Sequence, residues 1–369
     1  MKTAGTGTMN ARGSDGSVKY REIADTLRRE ILAGKYPPGS RFPSLQMLCR
    51  RFGVSYLTAV KAQKAVKALG LVRSRNGAGT FVARRLTSVG RIVPMLKQSE
   101  IYPPICQEFS RLCLERGVSL DFAALSAVRS DRVRPVVVAA ARRMAANGVA
   151  GVAFHPVDFG DDAAGTNREV LGILRAAGVP VVILDTDMEV SPWEARFDFV
   201  GVDNFEAGWF VGRHVIERGA KTVAFAAYAE MSDNVRRRLD GLLATIAQNR
   251  GVRFLGSGVL PQDGAALADR WRRRPPDAVV CASDIAAANV LKLLRRIGKR
   301  CPQDVLVTGI NDVELATLVS PTITTVRQPC AEIAATTLET LFWRFDNPEK
   351  ERRRVMVATK LVVRESTTR

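Results

Sequence analysis

Pro37 to Val82 reads PPGSRFPSLQMLCRRFGVSYLTAVKAQKAVKALGLVRSRNGAGTFV, and its punctuation sets the order of what folds there. Ser44 is placed to cap a first short helix, and Gly53 to end it with the positive φ that a tight turn needs. Ser55 caps a second helix in the same way. Along that helix Ala59, Ala62, Val66 and Leu69 recur at spacings of three and four, so they share one face and are expected to be buried. Lys61 and Lys64 fall on the other face. The stretch then closes as a hairpin around Asn76-Gly77-Ala78-Gly79, with Arg73 and Arg75 just before the tip. A short helix held from behind, with a positive front and a capped first turn, fits the DNA major groove. The arginines before the tip are placed to meet phosphate or the minor groove. The alternative is a solvated basic helix beside an idle hairpin, and the ordered run of cap, turn, basic face and wing argues against it.

Tyr20 to Val82 resembles the winged helix-turn-helix domain of GntR-type bacterial transcription regulators. The residues that carry the likeness are Pro38-Gly39-Ser40-Arg41-Phe42-Pro43-Ser44, Gly53-Val54-Ser55, Thr58, Gly70-Leu71-Val72 and Gly77-Ala78-Gly79-Thr80-Phe81-Val82. The basic face, the wing and the resemblance together give as expected DNA contacts Arg41, Ser44, Gln46, Ser55, Tyr56, Thr58, Lys61, Lys64, Arg73, Arg75, Gly77 and Gly79. Departures from the family pattern fall inside the reader. Leu45-Gln46 replaces the usual Glu-Arg, and Tyr56 and Val60 stand where arginines are common. Base reading therefore passes to Gln46, Tyr56, Thr58, Lys61 and Lys64, and the operator is expected to differ from common ones.

The net charge of +18 is unevenly spread. Residues 1–90 hold 17 Lys and Arg against 4 Asp and Glu, whereas the remaining 279 residues hold 38 against 33. A polyanion partner is thus expected for the front of the chain and for that part alone. Val18 to Ala33 carries Ile23, Leu27 and Ile31 at spacings of four, an amphipathic helix that supports the reader. Residues 1–17 are small, polar and Gly-rich and read as a disordered tail, without the apolar run of an export signal. No apolar stretch approaches the ~20 residues of a membrane span, so no membrane partner is expected. The six cysteines have no C-x-x-C pair and only two histidines beside them, which favours reduced thiols over a zinc site or a disulfide framework. The domain reading is a tail over 1–17, a DNA-binding domain over 18–83, a short basic linker over 84–90 and a larger domain over 91–369.

From Arg91 the pattern alternates strand with helix. Strands are expected over Ile92–Leu96, Val118–Leu125, Val149–Phe154, Val179–Asp185, Phe199–Val202, Thr222–Ala227, Arg253–Val259, Ala278–Ala282 and Val305–Ile310. Helices are expected between them, with a last helix over Cys330–Phe345 and a last strand over Val355–Val363 crossing between lobes. Apolar runs such as VPVVILD and DVLVTGI indicate parallel sheets covered on both faces, and the restart of the rhythm near Phe199 indicates two lobes. This region resembles the ligand-binding domain of LacI/GalR-type regulators, itself similar to periplasmic sugar-binding proteins. The motifs are Val179-Pro180-Val181-Val182 with Asp185, Val202-Asp203-Asn204, Arg238-Leu239-Asp240-Gly241, Ser283-Asp284, Gly309-Ile310-Asn311-Asp312, Thr324-Thr325-Val326-Arg327-Gln328-Pro329 and Arg364-Glu365-Ser366-Thr367. No LacI-type hinge helix precedes it. The fold class read from the chain is an α+β winged helix-turn-helix domain followed by a two-lobed α/β periplasmic-binding-protein-like (type I) domain.

In open α/β sheets ligands sit beyond the carboxyl ends of strands. The candidates on that ground are Glu100, Tyr102, His155, Asp185, Asp187, Asp203, Ser283, Asp284, Asn311, Asp312 and Gln328, with Trp193 in a loop as a stacking platform. Trp209 sits at core-like spacing within a helix and reads as packing. Arg238 matches, by the resemblance, the arginine that holds the ligand, although the run Arg236-Arg237-Arg238 could equally be a solvated face. Asp203, Asp284 and Asp312 have helix capping as their ordinary alternative, and His155 that of a plain loop residue. Asn311 and Thr186 stand where relatives often have Asp and Arg. There is no G-x-S-x-G, H-E-x-x-H or Walker motif, hence no expected catalytic residue, metal or cofactor. The sequence reads as a cytoplasmic, homodimeric transcription repressor that binds a pseudo-palindromic double-stranded DNA operator and senses a small polar metabolite, a sugar or sugar derivative, between its lobes. A solute-binding protein and a DNA-tethered sugar enzyme are the rival classes.

Overall fold

The computed structural model describes residues 15–369 apart from 38, 69–70, 76–77, 83–87, 95–98, 125–129, 159–161, 187–196, 229–231, 261–263 and 369. Most of the tail, the linker residues 84–87, Gly77, Asp187 and Trp193 therefore lie outside the described residues, as does the side chain of Arg75. The chain divides into two compact units, residues 1–86 and 87–369.

The first unit contains α1 (Asp15–Leu32), α2 (Leu45–Phe52), α3 (Tyr56–Ala68) and a hairpin of β1 (Val72–Arg75) and β2 (Gly79–Val82). Its α1 starts three residues earlier than the spacing suggested, inside the stretch read as tail. Ile23, Leu27 and Ile31 of α1 are buried with Leu48 of α2 and Ala59, Ala62 and Val66 of α3, so the spacing-of-four faces meet in one core. Gly53 ends α2 at φ 61 with its N–H on the Cys49 carbonyl. Glu30 at the end of α1 accepts from Arg51 of α2, and from Lys35 at 2.7 Å, which locks the first two helices together. The hydrogen bond from Arg51 holds the Glu30 carboxyl down at about 2 against the cost of its burial.

The second unit is two lobes of one design. The first holds β3 (Ser88–Val93), α4 (Tyr102–Glu115), β4 (Ser119–Ala124), α5 (Ser130–Ala146), β5 (Val152–Phe154), α6 (Ala163–Ala176), β6 (Val181–Leu184) and β7 (Asp198–Gly201). The second holds α7 (Asn204–Glu217), β8 (Thr222–Tyr228), α8 (Asp233–Gln248), β9 (Arg253–Leu260), α9 (Gly264–Arg273), β10 (Ala278–Cys281), α10 (Asp284–Arg296), β11 (Leu306–Asn311), α11 (Leu315–Leu318) and β12 (Thr324–Arg327). The chain then returns as α12 (Cys330–Asp346), which packs on α4 of the first lobe, and as β13 (Arg354–Met356) and β14 (Lys360–Val362). The sheets run β4-β3-β5-β6-β7-β13 and β9-β8-β10-β11-β12-β14, parallel throughout except for β14.

Three expectations are corrected. The first strand of the large unit starts at Ser88, within the stretch read as linker, because Gly90 lets it lie where a Cβ would run into Met144 and Val152. The last strand is broken at Val357–Thr359, and its halves join different sheets. Thr324–Arg327 is a central strand that the pattern did not show. Its Thr324 and Thr325 are fully buried, and their hydroxyls are satisfied by Thr367 at 2.7 Å and Asp284 at 2.7 Å. A second close approach joins α7 to α8. A Cβ on Gly208 or Gly241 would overlap the backbone of the facing helix, so glycine sets the distance between them.

Candidate functional site

The reader presents α3. Lys61 and Lys64 are exposed, Tyr56 is 62% exposed, and Gln46 on α2 is exposed beside them in sequence order at the turn. Ser44 accepts from Met47 N–H at 3.3 Å and Ser55 from Thr58 N–H at 3.3 Å, so both serines cap helices and leave their hydroxyl protons to other partners. The Ser55 and Thr58 hydroxyls are 3.0 Å apart. Phe42 N–H donates to Thr80 at 2.8 Å and Val82 N–H to Ser40 at 2.9 Å, which ties residues 40–42 to the two-stranded wing through an isolated antiparallel bridge between Arg41 and Phe81. That pairing brings the Arg41 guanidinium over Gly79, where a Cβ would stand 3.2 Å from Nε. Arg73 is exposed on the outer strand. Sequence reasoning missed Leu57 and Met47, 64% and 59% exposed. Leu57 sits one turn before Lys61 on the same face, an apolar group of the kind that meets thymine methyls. The signal was an apolar residue on a basic face, where no core exists to cover it.

The cleft of the large unit lies where both sheets reverse their strand order, between β3 and β5 in the first lobe and between β8 and β10 in the second. From the first lobe come Glu100 and Tyr102 after β3, His155 and Asp158 after β5, and Asp185 after β6. The second lobe supplies Asn204, Asn234, Arg238, Ser283, Asp284, Asn311 and Gln328. Glu100 crosses between them. Its carboxylate accepts from the N–H of Asp284 at 3.3 Å, from that of Ile285 at 2.5 Å and from the Asn311 amide. Asp185 crosses too, accepting from Asn234 Nδ2 at 3.0 Å. Arg238 is 6% exposed, with Nε on Asn204 Oδ1 at 2.8 Å and Nη1 on the Ala282 carbonyl at 2.6 Å, whereas its neighbour Arg236 is exposed. The helix register, not the arginine run, decides which of the three turns inward.

Several candidates hold structural posts. Asp203 caps α7 through the N–H groups of Phe205 and Glu206, and Ser283 caps α10 through Ala286. Asp284 braces the second lobe, its two oxygens taken by Thr325 and by Val313 N–H at 2.9 Å. Asp312 is bound by Arg327 at 2.5 Å and Arg364 at 2.6 Å, away from the cleft roles. His155 is no plain loop residue: it is fully buried, its ring centroid 4.3 Å from that of Tyr102, and burial drives its pKa well below the usual histidine range. Gln328 donates to Asn311 Oδ1 at 2.8 Å. Trp209 is half-buried on α7 beneath Arg213, as packing. Asn234 and Asp158 were missed. Asn234 lies four residues before Arg238, so the spacing that brings both to one helix face could have found it; Asp158 follows a strand by four residues and carried no pattern.

Burial pushes Glu100 up to about 7 against the pull of the Asn311 amide, with the charge of Asp284 adding to the rise. Burial likewise pushes Asp185 up to about 6, with Arg238 opposing, and Asp158 up to about 6, with Asp185 adding. A carboxyl whose pKa is raised in the folded protein contributes stability that is complete below its ordinary range and is lost as pH rises through the raised value. The melting temperature is therefore expected to fall from about pH 4 to about pH 7, and Glu100→Gln to flatten that fall. Parallel pH profiles for the two proteins would remove the cross-lobe role of Glu100.

Residues 19–82 match the family of bacterial regulatory proteins, gntR family, and residues 213–367 match the periplasmic binding protein-like domain. Among curated relatives, the HTH-type transcriptional regulator CelR of Thermobifida fusca is 28% identical over 329 residues, 85% of this chain and 90% of its own. The HTH-type transcriptional repressor PurR of Mannheimia succiniciproducens is 24% identical over 314 residues, 81% of this chain and 88% of its own. A transcriptional regulator CelR–cellobiose complex shares the fold with a TM-score of 0.64 and 25% identity, covering 88% of this chain and all of that one. A LacI family regulator from Enterococcus faecium with bound ribose gives 0.61 and 19%, covering 76% of this chain and 98% of that one.

Proposed function

We propose that this transcription regulator, in which a GntR-type winged helix-turn-helix domain precedes a LacI-type periplasmic-binding-protein-like domain, is a homodimeric repressor that grips a pseudo-palindromic operator and releases it under control of a small polar effector. Relatives along the chain are transcription regulators. The observation that carries the proposal is one chain with two complementary surfaces: an exposed basic helix face on the reader, and a buried polar cleft at the carboxyl ends of two parallel sheets. Cellobiose and ribose in the two neighbouring structures favour a sugar or sugar derivative as effector.

A homodimer is favoured by the outer edges of both sheets. Each lobe ends in an edge strand, β4 and β9, which carry the exposed Phe122 and Leu255, and Leu114 on α4 is 81% exposed. A second copy would cover them and would match the two-fold symmetry of a palindrome. The division of labour between an N-terminal reader and a larger sensor, and a cytoplasmic location, where the DNA is, belong to the same proposal. No helix of the described residues is long and apolar enough to cross a membrane.

Effector binding between the lobes would shift the balance of lobe arrangements by its differential affinity for them, and so alter the spacing of the two readers. Footprinting of the purified protein on the promoter beside its own gene is expected to protect two half-sites one or two helical turns apart, with protection that changes when effector is added. An unprotected promoter at low salt, where electrostatic binding is strongest, would count against the whole reading.

A further inference from the structure

The proposed effector site has a charge imbalance of its own. Four carboxylates, Glu100, Asp158, Asp185 and Asp284, are buried or half-buried around the cleft, and the guanidinium buried among them is Arg238. Arg91, a buried cation of the first lobe, lies over the Phe109 ring at 4.9 Å and beside Cys106 and Cys113, with its charge felt by His155 and its three nitrogens without a hydrogen-bond partner among the described residues. Asp203, Arg237 and Arg354 line the same pocket as Asp185 and are exposed or half-buried, so solvent screens their charges.

Two hydrogen-bonding atoms beside Arg238 and its carboxylates add to this. Asp185 and Gln328 are 5% and 3% exposed, and among the described residues Asp185 Oδ1 and Gln328 Oε1 have no partner. Both are acceptors. Asp185 lines the pocket between the lobes together with Asn204 and Asn234, and it holds φ 63, a conformation that fixes its carboxylate where it stands. The buried His155 ring, also without a partner and kept neutral, adds no charge. A ligand that meets these two atoms must bring donors, and a positive charge on it would offset the excess of carboxylate over Arg238 and Arg91. A neutral sugar would supply the donors and leave the excess of carboxylate uncompensated in a low-dielectric site. A sugar acid would add a further anion. A metal ion needs several converging oxygens, and no group of three such residues among the described residues could hold one.

We propose that the effector is a small polyhydroxylated amine, an amino sugar or amino polyol, whose ammonium group pairs with Asp185 Oδ1 while its hydroxyls meet Gln328 Oε1 and Arg238. This rests on the reading of the interlobe cleft as the effector site. The raised pKa values of Asp185, Asp158 and Glu100 agree with it, since burial outweighs the pull of Arg238 on Asp185 and that of the Asn311 amide on Glu100. They also give the amine a pH signature. A cation must displace protons held in the cleft, so its affinity rises as pH climbs through the carboxyl values, whereas that of a neutral sugar does not.

The test is calorimetry and thermal shift on the full-length protein with glucosamine and galactosamine, their neutral parents glucose and galactose, and their N-acetyl forms, at pH 5 and pH 6.5, where the amines stay protonated while the carboxyls ionise. The expected result is binding of an amine at least tenfold tighter than its parent or N-acetyl form, tighter at the higher pH, and reduced to the parent's level in Asp185→Asn. Asparagine tolerates the positive φ at that position, so the variant is expected to fold, and the pH dependence of the wild type answers independently of any variant. A neutral or N-acetylated sugar bound as tightly as the amine overturns the charge inference and leaves the cleft as the effector site. An amine that binds Asp185→Asn and Arg238→Ala as well as the wild type overturns the cleft reading itself, and no binding by any of the six overturns the proposed class.

Discussion

Arg238→Ala is expected to abolish the effector-dependent change in operator affinity while operator binding without effector persists. The side chain is a planar fork already fixed in place, with one arm on Asn204 Oδ1 and another on the Ala282 carbonyl. Such a fork recognises paired oxygens with little ordering cost at the moment of binding. Alanine removes it and leaves two buried acceptors without donors, at about 1–3 kcal/mol each. It also strips Asp185, Glu100 and Asp284 of the cation they share. Loss of one partner from a buried charge cluster costs about 3–5 kcal/mol, so a lower melting temperature should accompany the loss of response. Effector affinity should fall at least ~100-fold, the equivalent of about 2.7 kcal/mol. Arg238→Lys separates the two effects, because it keeps the charge and loses the fork: stability should largely return, and effector affinity should not. Anisotropy titration of a labelled operator with and without the bound ligand reads the response directly. An Arg238→Ala protein that still responds would place the effector elsewhere.

What the chain disclosed in advance, and what it withheld, divides along a physical line. Periodic apolar faces were legible: Ile23, Leu27 and Ile31, or Val181 to Leu184, are buried because nothing else could cover them. The positive φ of Gly53 was legible because only a turn needs glycine there. Residues whose burial depends on a distant partner were not. Thr324 and Thr325 show no strand pattern of their own, and their burial rests on the hydrogen bonds that Thr367 and Asp284 supply. The break at Val357–Thr359 is decided by which sheet has an open edge, not by the local sequence. The cleft shows the same division. Strand ends placed Glu100, Asp185, Asn311 and Gln328 near one another, yet the reach of Glu100 onto the first turn of α10 is a property of two lobes meeting. Asp203, Ser283 and Asp284 carried the right chemistry for a ligand, and the nearest unpaired N–H groups took it first, as helix starts do.

Lys61→Ala with Lys64→Ala is expected to weaken operator binding without touching the fold or the sensor. Both side chains are exposed on the face of α3 opposite Ala59, Ala62 and Val66, and alanine is the better helix former, so the core gives no reason for instability. If both lysines meet phosphate, each released counterion contributes about 0.9 to the slope of log affinity against log salt, and the pair of substitutions lowers that slope by about 2 per reader. The loss should then be uniform across operator variants. Tyr56→Ala should behave otherwise. Tyr56 is 62% exposed at the first turn of α3, where a base-reading residue belongs, and it stands beside the exposed Leu57. Its loss should leave the salt slope alone and relax discrimination at one or two base positions by about 1–3 kcal/mol. Filter binding across a salt series, with the protected operator and single-base variants, separates the outcomes. A salt slope unchanged in the lysine pair would remove α3 from the groove. The basic face would then be the solvated surface that charged helices ordinarily present, and the wing, with Arg41 over Gly79, would be left to make the contact.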